Sequence, residues 1–92
     1  MMEKRERVRT VIAQLLEDSP LVSQEVIEDV HHLLGVGEEG LAFHTMCSWI
    51  YEDELPITSA YYQRLMAAAQ EVGDSTSVDK LDELILDQVE ND

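Results

Sequence analysis

Residues 35 to 40 read Gly-Val-Gly-Glu-Glu-Gly, the G-x-G-x-x-G spacing that holds a pyrophosphate in dinucleotide-binding folds. That chemistry needs a buried strand before the glycines and a helix N-terminus after them, so that backbone N–H groups and the helix dipole meet the phosphate. Glu38 and Glu39 oppose it, because carboxylates at a helix start take the electrostatic place of an anionic ligand. A second group, His44 and Cys47 with His31 and His32, carries metal-type ligands. Zinc sites present paired ligands at fixed spacing, and a single cysteine supplies no such pair. A Cys/His nucleophile needs a thiolate in an electropositive setting, whereas this chain surrounds Cys47 with carboxylates; the reading for Cys47 is a core filler. Gly73-Asp74-Ser75-Thr76-Ser77 lacks the residue order of a calcium loop. These patterns predict no enzyme, no cofactor and no metal site.

The elements that position these residues all carry helical periodicity. Val8, Val11, Ile12, Leu15 and Leu16 form one apolar stripe, predicting a helix over 3–17 that ends at Ser19-Pro20. Ser23 is placed to cap a second helix over 24–34, with Val26, Ile27, Val30, Leu33 and Leu34 inside. A third helix starts near Gly40, carries Ala42, Phe43, Met46, Trp49 and Ile50, and stops near Glu54 because Pro56 disfavours helix at Leu55. Thr58 or Ser59 caps a fourth, bearing Tyr62, Leu65, Met66, Ala69 and Val72, with Gly73 after it. Thr76-x-x-Asp79 resembles a capping box ahead of Val78, Leu81, Leu84, Ile85 and Val89. No segment alternates as a strand does. The expectation is an all-α fold, a compact bundle of four to five short helices, with residues 1–92 as a single helical domain. In that context the glycine motif joins two helices and lacks the strand that phosphate binding requires.

Charge narrows the function classes. Twenty Asp and Glu stand against six Lys and Arg, a formal net charge of -14, and four of the six cations (Lys4, Arg5, Arg7 and Arg9) crowd the start of the chain. The remaining acidic stretch repels nucleic acid and anionic membranes and steers a cationic protein partner inward. No run approaches the ~20 apolar residues of a membrane span, and no signal-type apolar block follows MMEKRERVRT. One cysteine fits a reducing compartment, and the expected location is cytoplasmic.

The partner-binding candidates are Glu38, Glu39, Tyr51, Glu52, Asp53 and Glu54. On the third helix Ala42, Phe43, Met46 and Ile50 share one side, leaving His44, Ser48, Tyr51 and Glu52 on the other. Tyr51 reads either as an interface anchor beside acids or as a core residue, while Trp49 and one of Tyr61 or Tyr62 read as buried. Glu52-Asp53-Glu54 is the densest acidic run, and it falls at a helix C-terminus, where the dipole disfavours negative charge.

Residues 30 to 73 resemble the MafI-like family of small bacterial immunity proteins. In that family a Gly-Glu-x-Gly-Leu-Ala turn opens a helix carrying a Cys, and a short acidic link with a Pro-Ile-Ser-like cap leads into the next helix. The matching positions are Gly37, Glu38, Gly40, Leu41, Ala42, Cys47, Glu52-Asp53-Glu54 and Pro56-Ile57-Thr58. Thr58 in place of Ser keeps the capping chemistry. The resemblance covers about half of the chain, mostly at structural positions. It implies an antitoxin that binds the toxic C-terminal domain, often a nuclease, of a secreted or contact-delivered toxin and blocks it in the cytoplasm of the producing cell. The other reading open on sequence is an acidic helical adaptor or regulatory protein that docks a partner without a toxin.

Overall fold

Where the apolar stripes lie, helices form. The computed structural model describes residues 3–86, and Val89 of the predicted fifth stripe lies outside them. Helix α1 spans Lys4–Glu17, α2 Gln24–Gly35, α3 Glu39–Glu52, α4 Ser59–Val72 and α5 Thr76–Asp79, followed by a 3-10 turn over Lys80–Leu84. The described residues contain no strand, and the fold is an all-α bundle. An isolated bridge fixes the 3-10 segment to the α3–α4 link: the Ile57 N–H donates to Leu84 O at 3.1 Å, and the Leu86 N–H donates to Ile57 O at 2.9 Å.

Capping chemistry sets most of the boundaries. The Ser23 hydroxyl accepts the Val26 N–H and the Thr58 hydroxyl accepts the Tyr61 N–H, each satisfying one of the orphan donors of a first turn. Gly73 ends α4 in the left-handed region at φ 72°, which a residue without a Cβ adopts at little cost. The capping box expected at Thr76-x-x-Asp79 does not form. Asp74 instead takes the Ser77 N–H at 3.3 Å and the Ser77 hydroxyl at 2.7 Å, and α5 runs only four residues before tightening into 3-10 geometry.

Helix α3 is the central element and touches every other helix. Its Ala42, Phe43, Met46, Cys47 and Ile50 are completely buried, and at about 100° per residue they form a single apolar face of the ordinary helical spacing. Val8, Ile12, Leu15 and Leu16 of α1, Val26, Val30 and Leu34 of α2, and Val78 and Leu81 close around it.

One aromatic placement settles an alternative that the sequence left open, and another corrects the sequence reading. On α4 the buried residues are Tyr61, Leu65, Ala68 and Ala69, with Tyr62 only half-buried. Tyr61 enters because its hydroxyl donates to Leu15 O, one of the α1 carbonyls that the helix itself leaves unpaired. Trp49, expected inside, is 43% exposed at the edge of α3. At about 100° per residue it falls just outside the arc that Ala42, Phe43, Met46, Cys47 and Ile50 occupy.

Candidate protein-binding site at the end of helix α3

The acidic run closes α3 in a turn whose hydrogen bonds define it. The Glu54 N–H donates to Tyr51 O and the Leu55 N–H to Ile50 O, each at 3.0 Å, which is the paired 5→2 and 6→1 pattern of a Schellman turn. Such a turn needs a left-handed residue at its penultimate position, and Glu54 supplies it at φ 49°. It is the one non-glycine residue among those described with a positive φ. A Cβ in that conformation costs about 1–2 kcal/mol. The carboxylates of Glu52, Asp53 and Glu54 also face the negative end of the helix dipole, at about 0.3–1 kcal/mol each when exposed. Among the described residues no cation forms an ion pair with any of the three.

The three acids do not share one surface. Tyr51, Glu52 and Glu54 line a hollow of about 250 Å3 with Glu83 and Leu84 of the 3-10 segment. Tyr51 is half-buried there, with the Lys80 ammonium 4.5 Å above its ring centroid, so core packing and cation–π contact both hold it. Asp53 turns the other way, into a hollow of about 190 Å3 between α2 and α3 that is also lined by Ser23, Glu25, Val26, Asp29 and Trp49.

Glu38 and Glu39 stand at the opposite end of α3, roughly 20 Å away by the 1.5 Å rise per residue. Glu39 is already engaged. Its carboxylate accepts from Arg5 Nε at 3.1 Å, while Arg5 also donates to Gly37 O at 2.9 Å, tying the glycine loop to α1. The Glu39 carboxyl is held below its ordinary value by its own helix-start N–H; burial opposes this, and the Arg5 hydrogen bond and the charges of Arg5 and Arg9 reinforce it. Glu38 is exposed and forms no ion pair among the described residues. The loop itself is a helix-to-helix turn in which Gly37, at φ 83°, is the left-handed residue that ends α2. A Cβ at Gly37 would also run into the Arg5 guanidinium.

Sequence spacing gave no sign of a polar cluster on the far side of α3. His44 Nδ1 lies 2.7 Å from Ser77 Oγ and 3.6 Å from the Asp74 carboxylate. Because the Ser77 hydroxyl donates to Asp74, its oxygen is left to accept the His44 Nδ1–H, and His44 Nε2 can then accept from Ser48 Oγ at 3.4 Å. A nucleophilic serine gives its proton to the histidine, whereas Ser77 gives it to the aspartate and is 5% exposed. The arrangement therefore clamps α5 onto α3. Beneath it, burial pushes the Cys47 thiol up to about 12, with the Asp74 carboxylate adding to the shift and Lys80 opposing it. Among the described residues no three His, Cys, Asp or Glu side chains converge as metal ligands would. Nor is any helix among them long and apolar enough to cross a membrane.

Comparison of the chain with protein-family models, with curated proteins and with solved structures returns no match. The fold and the site define a small acidic helical bundle in which, among the described residues, the acids at the C-terminal end of the central helix form no ion pair.

Proposed function

We propose that this protein is an immunity protein. It acts without catalysis or cofactor, binding a basic toxin domain, of nuclease type, in the cytoplasm and covering the surface that the toxin uses on its own anionic substrate. The observation that carries this reading is Glu54. It combines a left-handed backbone with a carboxylate at the wrong end of a helix dipole, and fold stability favours neither. Residues kept in such conformations mark places where function has outweighed stability, and here the gain is negative charge at a protein-binding edge. The cation distribution supports the same reading. Lys4 and Arg7 reach Glu71, Arg5 reaches Glu39, Arg64 reaches Asp18, and Lys80 covers Tyr51, so five of the six cations are spent inside the molecule. The carboxylates at the end of α3 are left to an outside partner, and a domain that holds phosphates offers the complementary surface. The resemblance of residues 30 to 73 to immunity proteins points the same way.

The test is genetic and biochemical. The C-terminal domain encoded by the neighbouring reading frame is expressed alone and together with this protein. Growth arrest relieved by co-expression, with a stoichiometric complex on gel filtration, is the expected result. A neighbouring product that is neither toxic nor bound would leave the adaptor reading in its place.

A further inference from the structure

We infer that the hollow between α2 and α3 is the seat of an arginine side chain supplied by the basic partner. This deepens the binding function proposed above and rests on it. Three carboxylates border the hollow, Glu25 and Asp29 from α2 and Asp53 from the end of α3, and an exposed Trp49 lies among them. Glu25 and Asp29 are four apart on one helix, an arrangement in which like charges repel. Among the described residues no cation forms an ion pair with any of the three acids. The Ser23 hydroxyl at the rim is committed to capping α2.

Size and chemistry both select the occupant. A hollow of about 190 Å3 is smaller than the pockets of about 300–1,000 Å3 that hold small molecules, and it suits a single long side chain. Tryptophan is the aromatic best suited to cation–π contact, and Trp49 is exposed where it lines the hollow. A guanidinium can stack on the indole while its fork of N–H groups reaches carboxylates at the edge, which the compact ammonium of lysine cannot match. Paired Trp and Arg anchors are also the residue types that dominate binding energy at protein interfaces.

Trp49 is the single tryptophan of the chain, so its emission reports on this hollow alone. The intact protein is titrated at low salt with hexa-arginine and, separately, with hexa-lysine. Two variants of equal net charge are compared: Glu25→Gln/Asp29→Asn/Asp53→Asn in the hollow, and Glu52→Gln/Glu54→Gln/Glu83→Gln outside it. We expect a saturable change in Trp49 emission with hexa-arginine and binding several-fold weaker with hexa-lysine. Loss of about tenfold is expected in the first variant, and less than about threefold in the second. The proposal is overturned if the wild-type emission shows no saturable change, if lysine matches arginine, or if the two variants weaken alike. The wild-type arms alone decide it should a variant fail to fold. No toxin is present in this titration, so its failure would remove the arginine seat and leave the immunity function to be judged by the co-expression test.

Discussion

Glu54 stands in the turn after α3 where Gly37 stands in the turn after α2. Both turns carry the same two hydrogen bonds, Gly37 N–H to Leu34 O with Glu38 N–H to Leu33 O in one, and Glu54 N–H to Tyr51 O with Leu55 N–H to Ile50 O in the other. Both residues are left-handed, at φ 83° and φ 49°. The chain thus places the favoured glycine at one helix end and a charged residue with a Cβ at the other.

Replacing Glu54 with glycine is therefore expected to stabilise the protein by about 1 kcal/mol, since it relieves the left-handed Cβ and one charge opposed to the dipole. For a domain of this size that is roughly a 4–8 °C rise in Tm. The same variant should bind its partner more weakly. A calorimetric scan that shows no rise in Tm would contradict the assignment of strain to this residue.

Changing Glu52, Asp53 and Glu54 together to Lys should leave the helical circular dichroism spectrum intact, because all three are exposed and free of ion pairs among the described residues. Association with a basic partner should slow by an order of magnitude or more at low salt. The wild-type rate should fall steeply as salt rises, since screening shortens to about 8 Å near physiological ionic strength. A folded triple variant that associates at the wild-type rate at low salt would show that recognition lies elsewhere.

Asp74 makes the clamp on α5 sensitive to acid. Desolvation alone would raise its pKa, but hydrogen bonds from the Ser77 hydroxyl and amide and from the Thr76 hydroxyl hold the carboxyl below its ordinary value, and His44 adds to this when its ring is protonated. A depressed folded pKa means stability that is complete above the unfolded value of about 3.9 and lost as pH falls through the folded one. Asp74→Ala should cost about 1 kcal/mol at neutral pH, a typical loss for a capping acid. The gap in stability between wild type and variant should shrink below about pH 4, as followed by urea denaturation across pH. A gap that stays constant down to pH 2 would place the stabilising contact elsewhere.

Tyr61→Phe should cost about 1–3 kcal/mol, because it leaves the Leu15 carbonyl buried without its donor. The same substitution at Tyr62, which is half-buried and makes no such bond to α1, should cost less. Equal losses in the two variants, measured by thermal unfolding, would remove the hydroxyl from the account of why Tyr61 is the residue inside.

The limits of α1 to α4 were legible in the sequence because periodicity and capping are local. Ser23, Thr58 and Gly73 act on N–H groups and backbone dihedrals within a few residues of themselves, and Pro56 acts on its neighbour. The acidic character of the surface was legible for the same reason, since it needs only a count. What lay beyond the sequence were the edges of each apolar stripe and the pairing of charges. A stripe of helical period leaves its flanking positions undecided between core and solvent, and neighbours far along the chain decide them. Tyr61 turned inward because a carbonyl 46 residues away awaited a donor, and Trp49 stayed exposed at the edge of the face whose centre α1, α2 and α4 cover. Glu39 was drawn to Arg5 across 34 residues, while Asp53 parted from Glu52 and Glu54 only once α2 and the 3-10 segment flanked the end of α3 on opposite sides. Such contacts depend on how helices dock, and docking is set by the fit of whole faces rather than by the spacing within any one of them.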